Sequence, residues 1–179
     1  MTLVSASLKV ARQWLTTTLS AERNGLSGTL ASELQELSSL QFLLLEDGVI
    51  SGGIPSQLGT LTLLEVIDLN FNFLDGVLPD EIYSLPRLRQ LDLNDNDFSG
   101  PMSGLIGQLQ NLEFLQLQNN RFTGMIPPEL GELEALAIAT FQGNQFEGSM
   151  PAAVCALRAG ALTELTADCG EASAALGSP

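Results

Sequence analysis

A repeat period of 24 residues constrains this chain more than any other feature. The stretch Leu88–Gly100, LRQLDLNDNDFSG, recurs when the frame is shifted by 24 residues in either direction. The anchor of each of the six periods lies at Asn24, Gly48, Asn72, Asn96, Asn120 and Asn144. A fixed period of this size indicates stacked structural repeats, in which each coil contacts only its neighbours. We therefore expect a solenoid, and with it a role in binding rather than in catalysis.

The first half of each coil reads Leu-x-x-Leu-x-Leu, which alternates apolar and polar residues with the period of a β-strand. The leucines are expected to point inward, so the residues between them should face outward on one side of the solenoid. The asparagine that follows has an amide that both donates and accepts hydrogen bonds. We expect it to bond the backbone of its own and of the neighbouring coil. This scaffold ladder contains Asn24, Asn72, Asn96, Asn120 and Asn144, and Gly48 leaves one rung out.

The second half of each coil opens with a glycine four residues after the anchor, which permits a bend at positive φ. Four coils then contain a proline, which fixes φ and favours an extended backbone. These prolines are Pro55, Pro79, Pro127 and Pro151. Leucines three residues apart, such as Leu130 and Leu133, suit a single 3₁₀ or helical turn. The fourth coil has Ser103 instead of proline, and we expect its backbone to be looser there.

The pattern from Asn120 to Leu133, Asn-x-Phe-x-Gly-x-Ile-Pro-x-x-Leu-Gly-x-Leu, resembles the plant-type leucine-rich repeat family. Similar sequences occur in algal and diatom leucine-rich repeat proteins and in receptor-like ectodomains. The resemblance implies an α/β solenoid, a right-handed superhelix or horseshoe. In it, parallel strands line the concave face and 3₁₀ or irregular segments form the convex side. It also implies non-catalytic recognition by an extracellular or cell-surface protein.

The expected organisation has four parts. Residues 1–14 have no repeat and apolar residues at helical spacing, which indicates an N-terminal cap. Residues 15–157 form the six repeats, residues 158–169 a partial C-terminal repeat or cap, and residues 170–179 a frayed tail. No signal peptide is visible at the start, so either the protein stays inside the cell or this chain lacks its true beginning.

The composition argues against several classes of function. The net charge is −14 and the seven basic residues form no stripe, so nucleic acid and anionic membranes are poor partners. Histidine is absent, which excludes Ser-His-Asp and Cys-His catalysis and His-containing metal sites. Asp92–Asn96 imitates the start of an EF-hand loop, but Asp97 and Ser103 stand where that loop needs glycine and glutamate. We expect no catalytic residue, metal, cofactor or transmembrane segment in this chain.

The candidate binding surface is the concave strand face. Equivalent residues on strands about 4.8 Å apart form ladders, and the first ladder between the leucines is mostly apolar. We expect it to be exposed, which is typical of an interface, although cross-strand packing is the plainer explanation. Flanking carboxylates and amides suit a basic peptide or sugar hydroxyls, or form a solvated polar face. The candidates are Phe42, Leu44, Val66, Asp68, Phe71, Arg89, Asp92, Asp95, Phe114, Gln116 and Ile138.

The two cysteines lie near the end of the chain. Asp168-Cys169 looks like the start of the cysteine-rich cap found in secreted members of the family. Cys155 and Cys169 are candidates for a disulfide if their Cα atoms lie within about 7 Å, which would fit an oxidising compartment. Two unpaired buried thiols, or pairing with other cysteines, are the alternatives.

We therefore expect a recognition module that binds a protein or peptide, with a basic partner and a carbohydrate as open alternatives. One other hypothesis is a secreted inhibitor or carbohydrate-binding protein that acts on wall-degrading enzymes. Another is an ectodomain fragment of a receptor-like protein or kinase in signalling. A structural or ice-binding array would need regular ladders of threonine or similar residues, and the mixed ladders of this chain argue against it.

Overall fold

The structure, a computed structural model, describes residues 16–21 and 25–166. The predicted N-terminal cap, Asn24, Cys169 and the predicted tail lie outside these residues.

Two parallel sheets run along the stack of coils. The seven-stranded sheet, which we call the concave sheet, is built from the Leu-x-x-Leu-x-Leu segments. Its strands are β1 (Thr18–Ser20), β3 (Phe42–Leu44), β5 (Val66–Asp68), β7 (Gln90–Asp92), β9 (Phe114–Gln116), β11 (Ile138–Thr140) and β13 (Glu164–Thr166). The predicted α/β solenoid of leucine-rich repeat type is thereby confirmed.

The second sheet, which we call the side sheet, was not predicted and has six strands that follow the anchor positions. They are β2 (Ser27–Thr29), β4 (Val49–Gly52), β6 (Phe73–Gly76), β8 (Asp97–Pro101), β10 (Arg121–Met125) and β12 (Gln145–Glu147). In β4, β6, β8, β10 and β12 a buried residue lies between residues that are more exposed, as when Phe98 is buried between the half-buried Asp97 and Ser99. That alternation is the ordinary signature of a strand with one face toward the core.

The register differs between the two sheets. In the concave sheet Val66 faces Gln90, which is one full period further along the chain. In the side sheet Phe73 faces Ser51, which is two residues less than a period away. At the end of the stack β13 pairs Glu164 with Ile138, because two extra residues separate the last strand from its neighbour. The concave sheet therefore places equivalent residues of successive coils side by side, as the candidate ladders require.

Short helices form the side of the solenoid opposite the concave sheet. Five-residue 3₁₀ helices occur at Ser32–Glu36, Ser56–Thr60, Asp80–Ser84, Gly104–Gln108 and Pro128–Glu132. The last coil instead has an α-helix, α1 (Ala152–Ala156), followed by a 3₁₀ turn at Leu157–Ala159. Pro55, Pro79 and Pro127 precede their helices with φ near −70° and ψ between 135° and 140°, as predicted.

The fourth coil is as regular as its neighbours, and the expected looseness at Ser103 is wrong. Ser103 has the same extended conformation as the prolines, with φ −74° and ψ 142°. Its Oγ accepts a hydrogen bond from the Leu105 N–H at 3.3 Å, and its backbone lies beside the hydroxyl of Tyr83. Tyr83 is fully buried, and this burial raises its pKa to about 12. The Ser103 side chain thus stabilises the extended backbone at a position where Pro55, Pro79 and Pro127 fix φ.

A continuous core fills the space between the sheets and the short helices. The inward leucines and isoleucines of the strands are almost completely buried, for example Leu64, Ile67 and Leu69. Beside the turns, the rings of Phe98 and Phe122 stack with centroids 6.3 Å apart. Phe122 and Phe146 continue the stack at 6.0 Å. Offset aromatic stacks of this kind add to the free energy gained by burying the rings.

The asparagine ladder forms the hydrogen bonds that the sequence predicts. Asn96 Oδ1 accepts from the Leu74 N–H at 2.9 Å, in the preceding coil. Its Nδ2 donates to the carbonyl of Leu69 at 3.0 Å, also in the preceding coil, and to that of Leu93 at 3.2 Å in its own coil. Asn72, Asn120 and Asn144 repeat the same arrangement. The ladder holds the turns after the concave strands in fixed positions.

Candidate functional site

The apolar ladder of the concave sheet is assembled by the register. Side by side lie Phe42, Val66, Gln90, Phe114 and Ile138. All five are half-buried rather than exposed, because neighbouring side chains at strand spacing cover part of one another. The ladder therefore exposes less apolar surface than the sequence predicts.

The next ladder toward the ends of the strands contains Leu44, Asp68, Asp92, Gln116 and Thr140. Asp68 and Asp92 are only 8% and 5% exposed. The expectation that these two candidates belong to a solvated polar face is therefore wrong. Gln116 Nε2 donates to Asp92 Oδ2 at 2.7 Å, and the Asn70 N–H donates to Asp68 Oδ1 at 3.3 Å. These carboxyl groups form part of the wall of the concave face.

Burial perturbs both carboxyl groups. Burial, the charge of Asp92 and a hydrogen bond with the Glu46 carboxyl together raise the pKa of Asp68 to about 7, with burial the largest cause. Burial also raises the pKa of Asp92 to about 6, although hydrogen bonds from Asn70 and Asn94 oppose the change. Asp92 Oδ1 is buried with no hydrogen-bond partner among the described residues. An ionised carboxylate in such a place is costly, so the pair retains a proton at a higher pH than free aspartate does.

The later coils have neutral polar side chains at the corresponding positions. The Thr140 hydroxyl donates to Gln118 Oε1, and the Thr166 hydroxyl donates to Gln142 Oε1. The polar part of the concave face is thus acidic in its first half and uncharged in its second half. A ligand that crosses the strands, along the stack of coils, meets two different electrostatic environments.

The turn directly after each concave strand contains one residue at positive φ. These residues are Asp47, Phe71, Asp95, Asn119 and Gly143, with φ between 50° and 70°. Aspartate, asparagine and glycine tolerate this left-handed region, whereas a bulky residue such as phenylalanine is an outlier there. Phe71 is also 55% exposed, so its ring lies on the surface at a conformational cost. Asp95 lies in the same series, and its Oδ1 accepts from Asn119 Nδ2 at 2.8 Å.

A shallow cavity of about 300 Å³ lies beside Phe71. Its lining residues are Glu46, Asp47, Asn70 and Phe71, from the turns of two successive coils. The sequence candidates include Phe71 but omit Glu46 and Asn70. A phenylalanine in a series of aspartate, asparagine and glycine residues is the signal that would have drawn attention to this turn.

Arg89 lies at the opposite end of the concave strands, away from the turns. It is exposed, and its guanidinium forms an ion pair with Glu113 on the neighbouring strand at 2.8 Å. Both residues line a second cavity of about 290 Å³, together with Glu65, Arg87, Asn111 and Ala135. The structure therefore separates Arg89 from Phe71, which lies beyond the other end of the strands.

Cys155 lies in α1, is half-buried and has a free thiol. Cys155 therefore forms no disulfide in this structure, in contrast to its candidate pairing with Cys169. Cys169 itself lies outside the described part of the chain. Within residues 16–21 and 25–166, no cluster of three or more metal-binding side chains occurs. The same residues contain no helix long and apolar enough to span a membrane.

Two family models match the chain, both described as leucine-rich repeats. The first matches residues 54–98 and the second residues 111–133. No curated protein matches the sequence significantly.

Solved structures similar to this chain include plant receptor kinases. One is the leucine-rich repeat ectodomain of the receptor kinase SOBIR1 from Arabidopsis thaliana, with 35% identity and a TM-score of 0.69. The match covers 73% of this chain and 72% of that one. Another is the Arabidopsis receptor kinase HAESA in complex with the peptide hormone IDA and the co-receptor SERK1, with 30% identity and a TM-score of 0.83.

A TDR receptor is similar as well, with 31% identity and a TM-score of 0.82. The matches to HAESA and to the TDR receptor each cover 89% of this chain, but only 26% and 27% of those chains. This chain therefore spans about a quarter of the length of the larger receptors that it resembles.

Proposed function

Because this chain belongs to the plant-type leucine-rich repeat family, we propose that it is a non-catalytic module that binds a peptide or protein on its concave strand face. The HAESA structure, which contains a peptide hormone and a co-receptor, supports this class of ligand. We further propose that the chain acts outside the cell or at its surface, as part of a receptor-like protein, since the similar structures are receptor ectodomains.

The observation that carries the proposal is the contrast within each concave strand. The inward residues of β3, β5, β7, β9 and β11, such as Leu91 and Leu115, are all aliphatic and completely buried. The outward residues differ from coil to coil and include aromatic, aliphatic, amide and carboxyl side chains. Phe114 and Val66 are half-buried and lie on either side of Gln90. A surface of unlike side chains on a rigid sheet suits recognition of an irregular partner such as a peptide better than recognition of a repeating lattice.

The proposal is tested with a displayed library of random peptides, selected for binding to the wild-type protein. Phe114→Asp places a charge in the apolar ladder, and binding of the selected peptides should fall at least about tenfold, as expected at an interface hot spot. Phe114→Gln copies the Gln90 side chain of the neighbouring strand, so it removes the aromatic ring with less risk to folding.

Ser84→Asp is the matched control, because Ser84 is exposed on the 3₁₀ side of the solenoid. It should leave binding within about twofold of the wild type. Peptides that bind the wild type, both Phe114 variants and Ser84→Asp equally well would place recognition elsewhere and contradict the concave-face proposal. A glycan array that gives the stronger signal would instead favour a carbohydrate ligand.

A further inference from the structure

The cavity beside Phe71 combines negative charge with an exposed aromatic face. Glu46 and Asp47 supply two carboxylates, Asn70 supplies an amide, and Phe71 supplies a ring that is 55% exposed. Glu46 and Asn70 are half-buried, whereas Asp47 and Phe71 are exposed. The carboxylates come from one coil and the ring from the next, so the two chemical features face one cavity from different turns.

The backbone around the cavity is fixed by hydrogen bonds. The Phe71 N–H donates to the carbonyl of Asn94 at 3.1 Å, and the Phe71 carbonyl accepts from the Gly48 N–H at 3.1 Å. The next residue, Asn72, is a rung of the scaffold ladder. The Asp47 N–H donates to the carbonyl of Asn70 at 3.1 Å. A ligand would therefore bind between groups whose backbone is already ordered, which lowers the entropic cost of binding.

No other described coil has this combination. The residues that correspond to Asn70 and Phe71 are Asn94 and Asp95, Gln118 and Asn119, and Gln142 and Gly143 in the following coils. None of these pairs contains an aromatic ring. The third coil thus retains a phenylalanine in a backbone conformation that disfavours it, beside the carboxylates of the second coil.

We propose that this cavity binds the guanidinium group of an arginine side chain presented by the peptide or protein partner. The inference rests on the proposed function, since it names the chemistry of one residue of that partner. A guanidinium is planar, so it stacks on an aromatic face while its N–H groups donate to a carboxylate. The net charge of −14 favours the approach of a cationic ligand over long distances.

The acidic wall behind the cavity adds to the attraction. The carboxyl group of Asp68 is hydrogen-bonded to that of Glu46, and Asp92 lies beside Asp68 on the next strand. The titratable groups that face this region are Glu46 and Asp47 from the second coil, Asp68 from the third, and Asp92 and Asp95 from the fourth. A bound cation favours the ionised forms of Asp68 and Asp92, whose pKa values are raised, so the cation should bind more tightly at pH 8 than at pH 5.

The test uses N-acetyl-arginine methylamide as the probe and N-acetyl-citrulline methylamide as its uncharged isostere. Two-dimensional ¹H–¹⁵N NMR of the full chain monitors the amide signals of Asp47, Gly48 and Phe71 during titration. We expect saturable shifts at these residues with the arginine compound and none with the citrulline compound. Equal shifts from both compounds, or arginine-induced shifts confined to other parts of the chain, would overturn the proposal.

Three variants separate the contributions of the cavity residues. Glu46→Gln should weaken binding of the arginine probe about tenfold, and Phe71→Asn about two- to fivefold. Phe71→Asn copies Asn119 at the same turn position, so it removes the ring without introducing a residue that the backbone disfavours. Glu134→Gln removes one charge from an exposed residue beyond the 3₁₀ helix Pro128–Glu132 and should leave the affinity unchanged.

The outcomes distinguish this inference from the proposed function. If peptides from the library lose binding on Phe114→Asp but bind Glu46→Gln and Phe71→Asn as well as the wild type, the concave-face proposal stands and the arginine site is wrong. If N-acetyl-lysine methylamide binds as tightly as the arginine probe, stacking of a planar group is also wrong. Arginine-dependent binding that survives Phe114→Asp would support the cavity and count against the ladder.

Discussion

Two neighbouring positions in the turn after each concave strand behave in opposite ways. The scaffold position contains Asn72, Asn96, Asn120 and Asn144, which all form the same hydrogen bonds; the first three are nearly inaccessible to solvent and Asn144 is half-buried. The position just before it contains Asp47, Phe71, Asp95, Asn119 and Gly143, which share only a positive φ. Hydrogen bonding to buried backbone fixes the first position. At the second position only the backbone conformation is constrained, and the type of side chain differs from coil to coil.

The difference shows where a repeat of this type can acquire a specific ligand. A change at the scaffold position leaves buried N–H and carbonyl groups without partners, and the cost falls on the whole stack. A change at the turn position alters a partly exposed side chain at the rim of the concave face. The turn position is therefore open to residues that could contact a ligand, the role that we propose for Phe71.

The largest difference between the scaffold position and the turn position is expected for Asn96→Ala. This substitution removes the acceptor for the Leu74 N–H and the donor for the carbonyls of Leu69 and Leu93. We expect the free energy of unfolding to fall by about 3 kcal/mol, which corresponds to a drop of roughly 10 °C in Tm. Urea denaturation measures the change. Asp95→Asn, one residue earlier, should change stability by less than about 0.5 kcal/mol, and an equal loss in both variants would remove the distinction.

The carboxyl groups of the concave wall are intermediate between the scaffold and turn positions, because they are buried but differ from coil to coil. The pKa values of Asp68 and Asp92, about 7 and about 6, exceed the usual 3.8 of an aspartate. The folded protein therefore binds more protons than the unfolded chain between pH 4 and pH 7, so the stability that these groups contribute is present at low pH and is lost as the pH rises through 6 to 7.

We expect the free energy of unfolding to be on the order of 2 kcal/mol lower at pH 8 than at pH 5, because solvent at the concave surface screens part of the repulsion. Urea denaturation at a series of pH values measures this slope. Asp92→Asn removes one of the two groups and should flatten the slope by about half, whereas Glu134→Gln should leave it unchanged. A free energy of unfolding of the wild type that rises steadily from pH 5 to pH 8 would contradict the raised pKa values of Asp68 and Asp92.

At the turn position itself, Phe71→Asn should make the protein more stable. Asparagine tolerates a φ of 50° better than phenylalanine does, so we expect a gain of about 1 kcal/mol in the free energy of unfolding. Thermal unfolding monitored by circular dichroism measures the gain. The same variant should bind the arginine probe more weakly, so stability and binding would change in opposite directions. A loss of stability would mean that the Phe71 ring packs usefully in the fold.

The smallest effect is expected at the other end of the strands. Arg89 and Glu113 form an ion pair between neighbouring strands, and the Arg89 side chain is 55% exposed. Glu113→Gln should change the free energy of unfolding by less than about 0.5 kcal/mol, because solvent screens exposed ion pairs. Urea denaturation of both variants measures how much smaller this change in the free energy of unfolding is than the change caused by Asn96→Ala. A loss comparable to that of the scaffold variant would show that rim contacts also hold the stack together.

Much of the fold follows from the sequence because the repeat unit is short and every coil contacts only the next one. The period of 24 residues, the inward leucines and the asparagine ladder predict the concave sheet, its register and the core. The ladder of Phe42, Val66, Gln90, Phe114 and Ile138 also follows from counting residues. The side sheet does not appear in the sequence-based prediction, although polar and apolar residues alternate around Phe98 and Phe122 in the sequence. The binding role of these residues stays a prediction.

Other features depended on the tertiary structure. Counting residues places Asp68 and Asp92 side by side, but only the packing of neighbouring strands buries them and perturbs their pKa values. The sequence by itself determined the scaffold, because similar local interactions recur from coil to coil. The tertiary structure decided the charge, exposure and neighbours of the variable residues, because those depend on side chains that meet only when the coils stack.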